Sequence, residues 1–353
     1  MTDPLRVLVV DDSPVVRRLI VRILNDDPGL EVVAEAGDGD EAVRIATELR
    51  PDVIVMDCVM PVVDGLEATR LIMRDSPTPI VLLSASYQSG DVSRSFAALE
   101  AGALTLVAKP SGPRDATFAV DAQMLTTTVK LMADVKLVRR RSQRMPRRAG
   151  RDGSPGATVP ARERPVTIVA IAASTGGPAA LAQIISELPA STPVPILVVQ
   201  HITSGFQRGL VKWLDGVSSL PVRLATDGQR LRAGEVVVAP ADAHLGVSTS
   251  GSVALSGSPP IGGHRPSATH LFRSVASAYG AGVLGVILTG MGEDGVAGLR
   301  DVKQAGGLVL AQDEQTSVVY GMPGRAVAVG VVDQILPIDK IAMALISTSK
   351  RGE

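Results

Sequence analysis

The chain has 353 residues, 45% of them hydrophobic and 20% charged, which is typical of a folded protein of roughly two domains. Its formal net charge of -1 gives no general field that would recruit nucleic acid or an anionic membrane surface. Only 2% of the residues are aromatic, so the cores must be built from aliphatic side chains, which favours α/β architecture with buried parallel strands.

The cysteine content and the apolar runs indicate the compartment. Cys58 is the single cysteine, so no disulfide can form within the chain, which fits a reducing environment. The N-terminus lacks the pattern of a signal peptide, and no apolar run reaches the ~20 residues that a membrane-spanning helix needs. The sequence therefore predicts a cytoplasmic protein without membrane insertion.

The first part of the chain, residues 5–139, alternates strand and helix patterns. Helical spacing of apolar residues separates five aliphatic runs, and five such repeats predict a doubly wound parallel sheet. The last helix is amphipathic, because Leu125, Val129 and Met132 fall at positions i, i+4 and i+7. The predicted strands cover residues 6–10, 31–34, 53–56, 80–83 and 104–107.

Charged and polar residues end four of these five strands. Asp11 and Asp12 end the first strand, Asp57 the third, Ser84 the fourth and Lys109 the fifth. The carboxyl ends of parallel strands meet at one rim of a sheet, so these side chains should converge there. Three carboxylates would repel one another without a cation, and oxygen ligands suit Mg²⁺. A carboxylate beside the ion can accept a phosphoryl group as an acyl phosphate.

These stretches resemble the response-regulator receiver family, which has a flavodoxin-like fold. The resemblance covers residues 5 to about 139 and rests on VLVVDDS, DVIVMDCVMPVVDG, PIVLLSA and GALTLVAKP. It implies that Asp57 is the phosphoacceptor and that a histidine kinase is the phosphodonor. One departure concerns the switch, because Leu106 stands where the family usually has an aromatic residue, so rotation of an aromatic ring cannot be the relay.

The same resemblance implies the roles of the residues around Asp57. Asp12 and Asp57 would bind Mg²⁺ together with the backbone carbonyl of Val59, and Asp11 would act through water. Ser84 and Lys109 would contact the phosphoryl oxygens.

A basic segment follows the first α/β pattern. Residues 136–165 contain ten Lys or Arg against two Asp or Glu, with several Gly and Pro and few large apolar residues. Such a segment cannot bury enough surface to offset its ordering entropy, so it predicts a flexible linker, placed over residues 140–165. A basic run can also bind an acidic partner or nucleic acid, but no aromatic residues are interleaved for base stacking.

A second α/β pattern begins after Pro165. Its strand-like runs cover residues 167–172, 196–200, 235–239, 285–289 and 307–311. Its helix-like segments include residues 179–187, 270–279 and 295–304. The pattern predicts another doubly wound α/β domain.

A serine lies where the first of these strands gives way to a helix. In residues 169–178, VAIAASTGGP, Ser174 stands two positions before a pair of glycines that permit close backbone approach. Pro178 suits the first helical turn. Ser174 would face free N–H groups and the positive end of a helix dipole, which stabilise a developing oxyanion. The segment alone is equally compatible with a nucleophile and with a phosphate-binding turn without chemistry.

A nucleophilic serine needs a base and an acid. Of the four histidines, His201 directly follows a predicted strand and should share a rim with Ser174, whereas His244 and His264 fall in loops and His270 in a surface helix. Glu293 and Asp294 follow another strand, and spacing does not choose between them.

Motifs throughout this second part resemble the chemotaxis protein-glutamate methylesterase family. The resemblance covers about residues 166–349 and rests on IAASTGGP, VVQHITSGF, GHRPS, ILTGMGEDG and AQDEQTSVVYGMP. It implies Ser174 as nucleophile, His201 as base and Asp294 as orienting acid. It also implies an oxyanion hole formed by backbone N–H groups near Thr175 and Met291, with no cofactor in this domain.

The sequence departs from the family at four positions outside the predicted triad. Ile202 and Thr203 replace a common Met-Pro pair, Trp213 stands where arginine is common, and Thr269 where aspartate is frequent. These departures bear on the substrate groove rather than on the chemistry.

The sequence therefore predicts a receiver domain over residues 1–139, a linker over 140–165 and a methylesterase domain over 166–349. We expect phosphorylation-activated hydrolysis of glutamyl methyl esters, and deamidation of glutamine, on methyl-accepting chemoreceptors. The expected partners are these receptors and a chemotaxis histidine kinase, with no nucleic acid. The alternative is a non-catalytic scaffold or binding module controlled by the receiver.

Overall fold

A computed structural model describes residues 3–84, 97–99, 101–135, 165–203 and 205–349. The predicted linker, apart from Pro165, lies outside these residues. The described chain forms two parallel sheets, one on each side of the linker.

The N-terminal sheet has five parallel strands in the order β2-β1-β3-β4-β5, which confirms the predicted doubly wound sheet. Three of its helices are preceded by the N-cap residues Ser13, Asp38 and Asp64, whose side chains each accept a hydrogen bond from a backbone N–H of the first turn. The elements are β1 (Leu5–Val10), α1 (Pro14–Asn25), β2 (Leu30–Ala36), α2 (Gly39–Leu49), β3 (Val53–Asp57), α3 (Gly65–Asp75), β4 (Ile80–Ser84), β5 (Thr105–Ala108) and α4 (Phe118–Ala133).

The C-terminal sheet has seven parallel strands in the order β14-β13-β12-β6-β7-β9-β8. Its elements begin with β6 (Ile168–Ala173), α5 (Gly177–Glu187), β7 (Ile196–Gln200), α6 (Gln207–Val217), β8 (Val222–Leu224), β9 (Val236–Val238), β10 (His244–Val247) and β11 (Val253–Ser256). They continue with α7 (Ala268–Tyr279), β12 (Val283–Ile287), α8 (Val296–Gln304), β13 (Leu308–Gln312), α9 (Met322–Ala328), β14 (Gln334–Leu336) and α10 (Ile338–Ser349).

Four strands of this second part were not predicted from the sequence. β8 and β14 have three residues each and lie at the two edges of the sheet, while β10 and β11 form a separate antiparallel hairpin. Strands of three or four residues are too short to show a clear periodic pattern, which explains why these elements were missed. His244 opens β10 and is fully buried, so its placement in a loop was wrong.

The strand order reverses at the centre of the C-terminal sheet. β6 pairs with β7 on one side and with β12 on the other, although β12 follows much later in the chain. A crevice opens beyond the carboxyl ends of the strands at such a reversal, and ligands bind there in open α/β sheets. Residues that follow β6, β7 and β12 therefore meet at one rim.

The two halves contact each other near this rim. Val318 and Val319 of the C-terminal half pack against an N-terminal hydrophobic cluster that includes Leu125 and Val129 of α4. A cavity of about 530 Å³ lies between one face of α4 and Met291. Val120 and Met124, which line this cavity, are 64% and 53% exposed.

None of the described helices combines the length and the apolar character that crossing a bilayer requires.

Candidate active site and phosphorylation site

Ser174 occupies the tight turn between β6 and α5. Its N–H donates to the carbonyl oxygen of Thr289 at 3.0 Å, and its own carbonyl accepts from the N–H of Gly177 at 2.8 Å. Gly176 has φ of 77°, a conformation that suits glycine, and a Cβ there would lie 2.6 Å from Val318. The turn is thus fixed on both sides by backbone contacts.

Gln200 joins the backbones of the predicted nucleophile and base. Its side-chain Nε2 donates to the carbonyl oxygens of Ser174 and of His201, both at 2.8 Å. The side chain is buried, and its Oε1 leaves no room beside Gly177, where a Cβ would lie 2.0 Å away. Because one amide holds both carbonyls, a shift of Gln200 would move both residues.

The turn after β12 lies against Ser174. A Cβ at Gly290 would be 2.7 Å from the Cβ of Ser174, so only glycine permits this approach. Thr289 Oγ1 donates to the carbonyl oxygen of Thr175 at 2.9 Å, which ties the two turns together. Within the described residues, the backbone N–H groups of Thr175 and Met291 have no acceptor, as donors reserved for an oxyanion would require.

Asp294 is held by donors from the N-terminus of α7 and from the neighbouring residue Gly295. It accepts from Ser267 Oγ at 2.8 Å and from the backbone N–H groups of Ala268 at 2.7 Å, Thr269 at 3.1 Å and Gly295 at 2.9 Å. Burial by itself would raise the pKa of the Asp294 carboxyl, but the hydrogen bonds from His201, Ser267 and the Ala268 N–H hold that pKa far below its usual range. Asp294 therefore stays ionised.

His201 binds this carboxylate through one ring nitrogen. Its Nε2 lies 2.9 Å from Asp294 Oδ2, and its Nδ1 is buried without a hydrogen-bond partner in the described part of the chain. No described bond joins the Ser174 hydroxyl to His201, but such bonds often tighten only when substrate binds. Of the two ring nitrogens, only Nδ1 is therefore without a described partner.

Glu293, the other acid that spacing allowed, lies on the surface. Its carboxylate pairs with Arg325 at 3.1 Å, and its side chain is 71% exposed. The geometry therefore associates Asp294, and not Glu293, with His201.

Three residues around the site were not identified from the sequence. Ser267 donates to Asp294, Gln200 joins two carbonyls, and the ring of His264 stacks on that of His201 with centroids 4.1 Å apart. Ser267 and His264 lie within GHRPS and Gln200 precedes His201, so motif membership was the available signal. Their contacts depend on loops that meet only in the folded chain.

The four departures from the family are all buried or half-buried. Ile202 and Trp213 are half-buried and pack on the hydrophobic core, and Thr203 is half-buried in the loop after β7. Thr269 is buried, and its Oγ1 accepts from the N–H of Gly295 at 2.9 Å. The hydroxyl thereby supports the loop that carries Asp294.

The acidic rim of the N-terminal sheet has the predicted composition. Lys109 Nζ lies 2.7 Å from Asp11 Oδ2 and 2.8 Å from Asp57 Oδ2. The backbone N–H of Val59 approaches Asp57 Oδ1 at 3.4 Å. Ser84 ends β4 and is buried, and its carbonyl accepts from the Lys109 N–H at 2.9 Å.

Burial and neighbouring charges shift the pKa values of Asp57 and Lys109 at this rim. Burial raises the pKa of the Asp57 carboxyl, and the charge of Asp11 adds to the rise, while Lys109 opposes it. Burial would lower the pKa of Lys109, but its bonds to Asp11 and Asp57 raise that pKa. Burial thus dominates the shift at Asp57, whereas the two carboxylates together outweigh burial at Lys109.

This cluster fits a divalent cation. Oxygens of Asp11, Asp12 and Asp57 lie within 4.8 Å of one another, and two of the three residues are buried. Carboxylate oxygens gathered at this spacing are ligands for a hard cation.

Fold and sites together define an α/β protein with an acidic receiver-like rim and a separate Ser-His-Asp constellation. Comparison with known proteins agrees: residues 169–345 match the family model described as CheB methylesterase, and residues 7–121 match the response regulator receiver domain. The chain belongs to the CheB methylesterase family.

Similar proteins match over nearly their whole length. A protein-glutamate methylesterase/protein-glutamine glutaminase of Myxococcus xanthus is 51% identical, covering 98% of this chain and 97% of that protein. One from Anaeromyxobacter dehalogenans is 52% identical, covering 96% and 97%. The crystal structure of the Thermotoga maritima CheB methylesterase catalytic domain is 42% identical with a TM-score of 0.51, covering 52% of this chain and 98% of that one.

Proposed function

We propose that this protein is a phosphorylation-activated protein-glutamate methylesterase and protein-glutamine glutaminase that acts on chemoreceptors. The observation that carries this proposal is the Ser174, His201 and Asp294 constellation in a chain whose similar proteins bear that name over nearly their full length. A scaffold without chemistry would not need an ionised Asp294 behind a histidine whose second ring nitrogen has no partner among the described residues.

The proposed reaction is an acyl transfer in two steps. His201 Nδ1 takes the proton of Ser174 Oγ while Oγ attacks the γ-carbonyl carbon of the glutamyl methyl ester. The N–H groups of Thr175 and Met291 donate to the oxyanion, and His201 returns the proton to the departing methanol. Water then attacks the acyl-serine with the same proton relay and releases glutamate. A glutamine side chain passes through the same steps and releases ammonia.

Asp294 orients His201 in this scheme. Its carboxylate accepts from Nε2–H, which places the proton on that nitrogen and leaves Nδ1 as the base. Its fixed negative charge also stabilises the imidazolium that forms when Nδ1 is protonated.

The N-terminal rim is the proposed phosphorylation site. Asp12, Asp57 and the Val59 carbonyl would hold Mg²⁺, with Asp11 acting through water, and the bound ion would neutralise charge on the transferred phosphoryl group. Asp57 Oδ is the acceptor of a phosphoryl group from a histidine kinase. Ser84 and Lys109 would bind the phosphoryl oxygens.

Regulation would act through the contact between the two halves. The receiver places α4 opposite Met291 and packs on Val318, which itself contacts the Ser174 turn at Gly176. We propose that this arrangement excludes receptor substrate until phosphorylation of Asp57 loosens it. Changing the domain equilibrium from 1:99 to 99:1 requires about 5.5 kcal/mol of differential stabilisation.

The proposed domain limits are a receiver over residues 1–139, a linker over 140–165 and a methylesterase domain over 166–349. The two family matches, residues 7–121 and 169–345, fall inside the outer two of these segments and support them.

The direct test of the chemistry uses receptor membranes carrying methyl-labelled glutamyl esters and receptor glutamines. Wild-type protein with a phosphodonor should release labelled methanol and convert glutamine to glutamate, seen as a mass increase of about one unit in receptor peptides. Ser174→Ala should do neither, since it lacks the nucleophile. Equal release by Ser174→Ala would refute this function.

A further inference from the structure

The proposed mechanism leaves unexplained a histidine that lies flat against the base. The rings of His201 and His264 have centroids 4.1 Å apart and planes that differ by 4°. His264 is therefore in contact along a whole face of His201, although it belongs neither to the triad nor to the oxyanion turns.

A tight hairpin turn fixes the backbone of His264. His264 and Ile261 exchange two backbone hydrogen bonds of 3.0 and 3.1 Å around Gly262 and Gly263. These two glycines have φ of 58° and 85°, the positive values that a type I′ turn requires at both central positions. The turn therefore presents His264 at a defined position rather than on a loose loop.

His201 needs such a contact to fix its ring plane. The single described hydrogen bond of its ring, between Nε2 and Asp294, fixes one point of the ring but leaves the ring free to tilt about that point. The parallel face of His264 restricts this tilt, and hence the direction of Nδ1, because stacked rings at this spacing must turn together.

The charge on His264 also matters to the base. A neutral aromatic face attracts a cation placed over it, whereas a protonated ring would repel the imidazolium of His201. Burial and the proximity of His201 lower the pKa of His264, and Asp294 opposes this only in part. The adjacent Arg265 guanidinium is bound to the carbonyl oxygens of Gly257 and Ser258.

We propose that His264 is a positioning residue for His201, which sets the plane of the base and keeps an uncharged aromatic face against the imidazolium formed during the reaction. This inference rests on the proposed esterase function and adds a residue to it.

Two substitutions at position 264 distinguish the effect of the flat aromatic ring from the effect of the ionisable group. His264→Phe keeps a flat ring, so its kcat should stay within about threefold of wild type. His264→Leu removes the face, and kcat should fall about tenfold, which is the rate equivalent of a partly desolvated cation–π contact. KM should change less than twofold in both, because His264 acts on His201 and not on substrate binding. Rates are measured as methanol release by full-length protein with saturating phosphodonor.

The pH dependence tests the charge. Neither variant can be protonated at position 264, so the ratio of variant kcat to wild-type kcat should rise as pH falls below about 6.5, the usual pKa of histidine. The rise begins below that value because the pKa of His264 is lowered. Taking the ratio at each pH removes any effect of pH on phosphorylation of the receiver.

His270 provides a matched control. It is a half-buried histidine that stacks on another histidine, His244, with centroids 4.8 Å apart, and burial also lowers its pKa. His270→Phe and His270→Leu should retain wild-type kcat. Their ratio of variant kcat to wild-type kcat should not vary with pH.

Three results would overturn the inference: wild-type kcat in His264→Leu, an equal loss in His264→Phe and His264→Leu, or ratios that do not change with pH. Failure of the underlying function is distinguishable, because the wild type would then release no methanol or would release it without Ser174.

Discussion

At the scale of single residues, the site depends on which hydrogen-bond partner each polar atom has. Asp294 accepts hydrogen bonds on both oxygens, from His201, one hydroxyl and three backbone N–H groups. Nδ1 of His201, in contrast, has no partner in the part of the chain that the structure describes. The sequence predicted the residue types and their shared rim, because each follows a strand of the same parallel sheet. It could not choose between Glu293 and Asp294 by spacing, since that choice depends on where the N-terminus of α7 docks.

The role of Asp294 gives a residue-scale prediction. Asp294→Asn cannot hold the His201 tautomer with a proton on Nε2, so kcat should fall by about 10⁴-fold, as expected for removal of a triad carboxylate. Initial rates of methanol release measure this. Glu293→Gln, the neighbouring acid that pairs only with Arg325, should keep near wild-type kcat. Comparable losses in the two variants would argue against the assignment.

The raised pKa of Asp57 gives a prediction about stability. Since the folded state favours the protonated form, the free energy of unfolding falls as pH rises from the unfolded pKa of about 3.9 to the raised folded pKa. The full cost of the ionised carboxylate is present above the folded pKa, and no cost remains below the unfolded value. Without divalent cations, Asp57→Asn should therefore unfold at a higher temperature than wild type at pH 7, and the difference should disappear towards pH 4.

Magnesium provides the control for this stability effect. Added Mg²⁺ should raise the unfolding temperature of the wild type more than that of Asp57→Asn, because the variant has lost one charged ligand. The proposed cluster would be contradicted if Asp57→Asn unfolded at a lower temperature than the wild type at pH 7. It would also be contradicted if Mg²⁺ raised the unfolding temperature of both proteins equally.

At the scale of elements, the long aliphatic strands were predictable and the short ones were not. β6 and β7 are fully buried runs of five or six residues, so composition alone marks them. β8 and β14 have three residues each and owe their strand conformation to pairing with β9 and β13. The stacking of His264 on His201 was equally inaccessible, because it depends on where a Gly-Gly hairpin docks.

The junction of β6 and α5 gives an element-scale prediction. In Gly177→Ala the new methyl group would displace Gln200, which holds the carbonyls of Ser174 and His201. We expect a loss of about 1–3 kcal/mol in the free energy of unfolding, as for overpacking in a core, together with a fall in kcat. Denaturant unfolding and methanol release measure the two effects.

Gly216 in α6 is the matched control for this substitution. No atom lies within 4 Å of a Cβ placed there, so Gly216→Ala should keep full activity and be neutral or slightly stabilising. The explanation fails if Gly177→Ala proves as stable and as active as Gly216→Ala.

At the scale of the whole molecule, the N-terminal half faces the turn that carries Met291. α4 carries Val120 and Met124 towards a cavity shared with Met291, while Val318 contacts both the receiver cluster and Gly176. Two sites that were predicted separately from the sequence are thereby connected through one interface. No sequence pattern indicated this face of α4, because its exposed apolar residues look like ordinary surface.

The interface gives a whole-molecule prediction. Met124→Asp places a charge in the cavity, which weakens the closed arrangement, so the rate without phosphodonor should rise about tenfold, a shift of about 1.4 kcal/mol in the domain equilibrium. Met343→Asp changes the same residue type on α10, where it is 63% exposed, and should leave the basal rate unchanged. Equal basal rates in both variants would exclude this face of α4 as the inhibitory surface.

The most direct test of the central claim is methanol release from methylated receptor membranes by wild type, Ser174→Ala, Asp57→Ala and the double variant, each with and without a phosphodonor. We predict that release requires Ser174 under both conditions and that the phosphodonor stimulates it only when Asp57 is present. Release that persists without Ser174 would contradict the assigned chemistry, and equal stimulation of wild type and Asp57→Ala would contradict control by the receiver.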